Sequence, residues 1–140
     1  MDERVVALFT EGRNFVHLAT VLPNGAPHSI PVWAIYEGGR IAFFTQSTSR
    51  KARNLAADPR VALSLVDGAN PYRNAQIRGR VVETVEGDAA LEIIDRISLH
   101  YIGAPFPLRS GVVYWIEPET AHFTELPFRH EERGQASPVQ

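Results

Sequence analysis

The sequence of 140 residues contains no cysteine. Disulfide bonds, thiolate chemistry and cysteine-ligated metal sites are therefore excluded. Neither sign of charge is in large excess, because 14 basic and 16 acidic residues give a formal net charge of only −2. Proteins that bind nucleic acids gather Lys and Arg into a strongly basic surface, so we expect no nucleic-acid partner. No apolar run reaches the roughly 20 residues of a membrane-spanning helix and no signal peptide is visible, so we expect a cytoplasmic protein without membrane association.

The sequence motifs of several large enzyme classes are missing as well. There is no Gly-rich dinucleotide fingerprint, no Walker phosphate loop and no Gly-x-Ser-x-Gly elbow. These absences argue against Rossmann dehydrogenases, nucleotide hydrolases and serine hydrolases. The five histidines show no His-x-x-x-His spacing, and we expect no metal site.

Short segments rich in β-branched and aromatic residues make up most of the chain. Asn24-Gly25 and Gly38-Gly39 stand between such segments and are typical of tight hairpin turns. The pattern predicts strands at residues 15–22, 28–37, 40–45, 60–67, 74–85, 112–117 and 120–126. Gly79, inside one of these strands, indicates a close approach of a neighbouring backbone or ligand.

Helical patterns are fewer. They cover residues 2–11, about two turns between Ser47 and Pro59, and residues 89–102, with Gly103 at the C-terminal cap. The chain from Pro127 onward is polar and without periodicity, so we expect one domain at residues 1–126 and a flexible tail at residues 127–140. Together the segments predict a mainly β fold with helices (α+β), namely a β-barrel decorated by helices.

The segment Ser47–Asn54 is the first candidate for chemistry. Arg50, Lys51 and Arg53 stand at the start of the predicted helix, where the positive end of the helix dipole disfavours cations. The arrangement is favourable if the helix N–H groups, the hydroxyls of the two serines and the cations converge on a phosphate. A solvated basic surface explains the same residues, and the segment alone does not decide.

Two other segments leave similar alternatives open. Pro31 interrupts a strand beside Trp33, which suits either a flat amphipathic ring system or a barrel edge with the tryptophan in the core. Tyr72-Arg73 and Arg78 either reach an anionic cofactor tail or are ordinary surface residues.

The order and spacing of several segments resemble a known family. They are FVHLAT (15–20), PNGAPHSIPVW (23–33), IAFFT (41–45), SRKARNLAADPRVAL (49–63), NPYRNAQIRGRV (70–81) and HYIG (100–103). Over about residues 5–125 the chain resembles the pyridoxamine 5′-phosphate oxidase-like split barrels, and within them the deazaflavin-dependent oxidoreductases. The resemblance implies a six-stranded split β-barrel of the FMN-binding type that forms a homodimer, with two cofactors in grooves at the interface.

The resemblance also implies which residues bind the cofactor. Ser47, Ser49, Lys51, Arg53 and Asn54 correspond to the phosphate-binding set. The ring system corresponds to the strand Pro31-Val32-Trp33, with the backbone of Phe44 and Thr45 close by. Tyr72, Arg73 and Arg78 correspond to contributors to the groove, in part from the other subunit.

The implied activity is oxidoreduction. Reduced coenzyme F420, a deazaflavin, transfers a hydride to a small conjugated substrate, and the resemblance supplies no catalytic side chain, because the cofactor carries the chemistry. Two alternatives stay open: an FMN-dependent oxidase or reductase of the pyridoxamine 5′-phosphate oxidase type, and a non-catalytic carrier of a flavin, a deazaflavin or a haem-like ligand.

Overall fold

Antiparallel β-strands dominate the fold in the computed structural model, which describes residues 1–130 and 136–138. The strands are β1 (Val16–Val21), β2 (Pro27–Val32), β3 (Ala34–Glu37), β4 (Arg40–Thr45), β5 (Arg60–Asp67), β6 (Asn70–Val85), β7 (Val112–Glu125), β8 (Phe128–His130) and β9 (Ala136–Pro138). The helices are α1 (Glu3–Thr10), α2 (Arg50–Ala57) and α3 (Gly87–Ile102). The predicted mainly β class with helices is confirmed.

One sheet contains seven strands in the order β2-β1-β5-β6-β7-β4-β3. Its two edge strands, β2 and β3, are consecutive in the chain and are separated only by Trp33. Because neighbouring Cα atoms lie about 3.8 Å apart, the two edges must meet at this residue. The sheet is therefore curled into a split barrel. It has seven strands, whereas the resemblance implied six. The sequence pattern also predicted seven, but it treated residues 28–37 as one strand, and the structure divides this segment at Trp33.

Strand β7 also differs from the prediction. Two strands were expected at residues 112–117 and 120–126, but the structure has one continuous strand that passes through Pro118. Pro118 lies opposite Gly79 on β6, and the register of the β6–β7 ladder shifts at this point. A β-carbon on Gly79 would collide with the backbone carbonyl of Glu117. The predicted close approach at Gly79 is thus confirmed, and it allows the ladder to continue past a proline.

Two apolar cores lie on opposite faces of the curled sheet. The barrel interior is filled by side chains such as Leu18, Phe43 and Ile77, and α1 and α2 contribute to it. The second core lies on the outer face of β3, β4 and β7, where Ile94 and Ile97 of α3 belong to the same cluster of buried side chains. Helix α3 ends at Gly103 in the left-handed conformation (φ 70°), as predicted.

An open split barrel of this size would leave apolar strand surface uncovered, and the sequence offers Val112–Ile116, with Tyr114 and Trp115, as surface that a dimer would cover. The structure shows that this prediction is wrong. Tyr114 stacks on Phe43 inside the barrel, with 5.1 Å between ring centroids, and Trp115 belongs to the core beneath α3. Both are 7% exposed. The cores of a single chain bury this strand on both faces.

Helix α3 covers only part of the outer face of the sheet. On β5 and β6 the outward residues alternate with buried ones and remain exposed, among them Ala62, Ser64, Gln76 and Arg78. We call this region, with His17 of β1 and His122 of β7, the open face. The six residues named here are small or polar, and Arg60, Val66 and Arg80 are further exposed residues on the same side of β5 and β6. The open face carries one of the two grooves described below.

The C-terminal segment forms a small separate sheet. Strand β8 pairs with β9 in antiparallel fashion, which places Phe128 opposite Pro138. Residues 131–135 and 139–140, part of the predicted flexible tail, lie outside the described residues, so the tail and the domain boundary at residue 126 stay predictions. No helix within the described ranges is long and apolar enough to span a membrane.

Candidate functional site

The candidate site begins at the break between the two edge strands. The β1–β2 ladder pairs His17 with Pro31 and Val16 with Val32, and Trp33 has no partner in either the β1–β2 or the β3–β4 ladder. Proline at position 31 cannot donate a ladder hydrogen bond, which suits a position where a strand leaves its neighbour. The side chains still alternate across the break, because Val32 and Ala34 belong to the core inside the barrel while Trp33 packs against the outer core, where it is half-buried.

Aromatic rings surround Trp33. Its indole stacks on Tyr101 of α3, with centroids 5.3 Å apart and 6° between planes. Phe44 and Phe106 meet it edge-on, at 6.4 and 6.1 Å. Phe106 is itself fixed, because its N–H donates to Asp95 Oδ1 at 3.2 Å. The walls of the site are therefore rigid aromatic surfaces held by packing.

A pocket of about 230 Å³ opens beside these rings, and we call it the aromatic pocket. Its lining residues are Pro31, Val32, Trp33, Phe44, Lys51 and Phe106. All except Phe106 belong to the set that the resemblance implied, so the structure brings these predicted residues together. Phe106 was missed. It stands between two prolines just after α3, and an aromatic side chain in a loop stiffened on both sides was the available signal.

Among the residues that the structure describes, Lys51 is the only charged one that lines the aromatic pocket. It lies in the first turn of α2 and is half-buried, and no acceptor within hydrogen-bond or ion-pair distance is found for it among the described residues. Burial lowers the pKa of its ammonium group below the usual range. A partly desolvated cation without a counter-ion, beside apolar walls, favours the binding of an anion.

Two other members of the implied phosphate-binding set, Ser49 and Asn54, have structural roles. Ser49 caps α2, since its Oγ accepts from the N–H of Ala52 at 3.1 Å, and Thr45 Oγ1 donates to the same oxygen at 3.0 Å. Asn54 is 1% exposed and donates to Thr20 Oγ1 at 3.0 Å, while its Oδ1 accepts from Arg50 Nε at 2.9 Å. The buried Asn54 amide therefore ties α2 to β1.

The remaining two members of that set do not line the aromatic pocket. Ser47 is exposed and borders a different depression together with Glu86 and Asp88 at the start of α3. Arg53 is exposed on the surface of α2, two residues beyond Lys51. Of the two cations in this set, Lys51 lines the aromatic pocket and Arg53 does not.

The predicted groove residues on β6 lie elsewhere. The guanidinium of Arg73 lies 3.9 Å from both Asp67 and Glu125, and Tyr72 contacts the ring of Phe128, with centroids 5.5 Å apart. Arg78 is exposed and borders a groove of about 390 Å³ on the open face. Within one chain, none of these three side chains lines the aromatic pocket.

The two grooves are neighbours along β2. Ser29 borders the groove on the open face and Pro31 borders the aromatic pocket. Side chains two residues apart point to the same side of a strand, so both face outward. The volume of about 230 Å³ is below the 300–1,000 Å³ typical of small-molecule pockets. The aromatic pocket of one chain is therefore smaller than a typical cofactor site, and it neighbours the groove of the open face along β2.

The pocket lining fits a flavin-type group. Flat apolar walls suit the faces of a fused ring system, and the unpaired Lys51 suits the phosphate that such cofactors carry. Apart from Lys51, none of the lining residues in the described part of the chain has an ionisable side chain. The arrangement therefore favours binding and orientation over acid–base catalysis by side chains.

Comparisons with known proteins agree with this geometry. The family model described as pyridoxamine 5′-phosphate oxidase matches residues 1–125. A solved structure named F420 reductase is 28% identical over 83% of this chain and 94% of its own, with a TM-score of 0.73. A conserved hypothetical protein from Mycobacterium tuberculosis is 26% identical over 89% of this chain and 84% of its own (TM-score 0.75).

General Stress Protein 26 from Bacillus anthracis shares the fold at 17% identity, with a TM-score of 0.67 over 97% of this chain and 96% of its own. Among the curated proteins, none matches the sequence significantly.

Proposed function

This chain belongs to the pyridoxamine 5′-phosphate oxidase family, and from that premise we propose that it is an oxidoreductase that uses reduced coenzyme F420 to transfer a hydride to a small conjugated substrate. The observation that carries the proposal is the unpaired, half-buried Lys51 in the wall of an aromatic pocket. The similarity to the F420 reductase, at 28% identity over 94% of that chain, favours the deazaflavin.

In this proposal the residues of the chain bind and orient the cofactor. Pro31, Val32 and Trp33 would bind the ring system of the cofactor, and Phe44 and Phe106 would limit its position. Lys51 holds the phosphate by charge-assisted hydrogen bonds, and Arg53 adds long-range attraction from the helix surface. When bound, the reduced deazaflavin supplies the hydride. Among the described residues, the pocket lining offers no side chain suited to proton transfer near neutral pH, so the substrate proton would come from solvent or from a residue of the neighbouring groove.

An FMN-dependent oxidase or reductase is the second candidate, because the family takes its name from pyridoxamine 5′-phosphate oxidase. FMN also combines a flat ring system with a phosphate, so Lys51 and the aromatic walls serve it equally well. A carrier without activity would use the same pocket. Binding and turnover therefore have to be measured separately.

The proposal is tested by titrating the purified protein with F420 and with FMN, followed by the fluorescence of each cofactor. We expect F420 to bind more tightly, and reduced F420 to be oxidised in the presence of conjugated carbonyl and nitroaromatic acceptors. Tighter binding of FMN, with oxidation or reduction of FMN during turnover, would transfer the assignment to the second candidate. Tight binding of either cofactor with no turnover of any acceptor would indicate a carrier.

A homodimer completes the site in this proposal. The aromatic pocket of one chain is small and lies beside the groove of the open face, where Arg78 is the only Lys, Arg, Asp or Glu among the described residues that line the groove. Interface centres are depleted in charged residues, so this face suits a second copy better than the charged surface of α3 does. Arg78 of each chain then lies near the boundary between the two cofactor sites.

Sedimentation at micromolar concentration tests the dimer. Ser64→Arg places a cation in the centre of the open face, beside Gln76 on β6, and we expect it to give a monomer with weakened cofactor binding. Glu92→Arg on the exposed surface of α3 is the matched control and leaves the dimer intact. A wild-type monomer, or a Ser64→Arg dimer, would contradict this assembly.

A further inference from the structure

We propose that Tyr101 of α3 is a positioning residue that fixes Trp33 in the cofactor site by acting as a wedge between Asn14, just before β1, and Ala34, at the start of β3. This inference rests on the function proposed above, because it assigns a role at the same site. It is carried by the contacts of the Tyr101 hydroxyl and ring, and by the register of the strands on either side.

The hydroxyl of Tyr101 stands where the β1–β2 ladder stops. That ladder pairs Val16 with Val32, so its next in-register pair on the same side would be Asn14 with Ala34. These two residues do not pair. Instead, the Tyr101 hydroxyl accepts from the N–H of Ala34 at 3.2 Å and lies 2.7 Å from the carbonyl oxygen of Asn14, to which it donates. The hydroxyl thus replaces a direct backbone bond between the diverging strands.

Both ends of this bridge are firmly held. Ala34 is fully buried and starts the β3–β4 ladder opposite Phe43. The Asn14 side chain donates to the carbonyl of Leu8 at 2.9 Å and accepts from the N–H of Gly68 at 2.8 Å. Tyr101 is itself 5% exposed, and burial raises its pKa, so the hydroxyl stays protonated and able to donate. The wedge is therefore a fixed part of the fold.

The aromatic ring of Tyr101 also contacts the side chain of Trp33, the residue at the break between β2 and β3. Trp33, between Val32 and Ala34, stacks on Tyr101 with 6° between the ring planes. Tyr101 thus holds Trp33 twice, through the adjacent backbone and through the indole. Because Trp33 lines the aromatic pocket and Tyr101 does not, Tyr101 affects a bound ring only through Trp33.

Tyr101→Phe, Trp33→Phe and the double variant test this role. We expect Tyr101→Phe to weaken F420 binding about tenfold, which corresponds to roughly 1.4 kcal/mol. On the Trp33→Phe background the same change has less than about a twofold effect, because residues that act through one another are not additive. Tyr114→Phe, a buried tyrosine outside the site, is the matched control and leaves F420 binding unchanged. Fully multiplicative effects of the two substitutions would overturn the proposal.

A second pair of measurements needs no cofactor. With 5-fluorotryptophan incorporated, the two tryptophans give separate ¹⁹F signals, and Tyr101→Phe should shift and broaden the Trp33 signal while leaving that of Trp115 in place. In the wild-type protein the amide of Ala34 should be protected from hydrogen exchange, although no strand pairs with it on that side.

The possible outcomes separate the two proposals. An unchanged Trp33 signal, or an Ala34 amide that exchanges at the rate of an exposed one, overturns the wedge even if F420 binds. Failure of the wild-type protein to bind either F420 or FMN overturns the proposed function, whereas the fluorine and exchange results then still decide whether Tyr101 holds Trp33.

Discussion

The role of Lys51 gives the sharpest prediction for the site. Its ammonium group lines the aromatic pocket without a counter-ion, so a phosphate that binds there gains a charge-assisted hydrogen bond. Such bonds contribute about 1.5–3 kcal/mol, and each 1.4 kcal/mol is tenfold in affinity. Lys51→Ala should therefore weaken the binding of F420 or FMN by about one to two orders of magnitude. Added salt should weaken wild-type binding as well, because the contact is partly exposed.

The assay compares each cofactor with its dephosphorylated form, riboflavin in the case of FMN. If Lys51 holds the phosphate, Lys51→Ala loses affinity for FMN and keeps its affinity for riboflavin. Arg53→Ala is the matched control from the same helix, and its effect should be smaller because Arg53 does not line the pocket. Equal losses for FMN and riboflavin would refute the assignment of the phosphate to Lys51.

The same substitution makes a prediction about stability. Lys51 lies in the first turn of α2, where the helix dipole disfavours a cation, and its burial carries a desolvation penalty. Without cofactor, Lys51→Ala should therefore leave the melting temperature unchanged or raise it slightly. A clear loss of thermal stability would show that Lys51 has a structural partner.

Three further predictions concern the pocket wall, the barrel and acid stability. Phe106→Ala should weaken cofactor binding measured by fluorescence, whereas Leu108→Ala, 56% exposed in the same loop, should not. Gly79→Ala should lower the free energy of unfolding by about 1–3 kcal/mol in denaturant titrations, because its β-carbon meets the Glu117 carbonyl. The Arg60 side chain lowers the pKa of Asp58 to about 2. Stability from this pair is therefore complete above about pH 4 and lost as pH falls toward 2, so thermal unfolding of Asp58→Asn should lack this part of the acid dependence.

Local patterns predicted most elements of the fold. Alternation in Arg60–Asp67 gave β5, and the residues around Ser49 and Gly103 gave the limits of α2 and α3 within a few residues. These features depend on neighbours within one turn or one strand, so the sequence contains the information for them. Pro31 indicated an interruption in the segment 28–37, but local patterns did not reveal the bond from the Ala34 N–H to the Tyr101 hydroxyl beside the break, because it joins residues 67 positions apart.

The candidate site was predictable in part for the same reason. Pro31, Val32, Trp33, Phe44 and Lys51 came from the resemblance and meet in one pocket. The resemblance did not distinguish Lys51 from Asn54, which is buried and bonded to Thr20, or from Ser49, which caps the helix. All lie in one short segment, and only packing decides which of them faces the pocket.

By itself the sequence determined the class of the fold, the absence of cysteine chemistry and the family to which the chain belongs. These follow from composition, from the period of apolar residues and from the order of short motifs, which are properties of the chain. The tertiary structure alone decided that the strand Val112–Ile116 is buried on both faces and that an open face remains on β5 and β6. It also decided that the Tyr101 hydroxyl enters the gap between Asn14 and Ala34. Contacts of this kind join residues that are distant in the chain, and they exist only after the sheet has curled and brought its two edges together at Trp33.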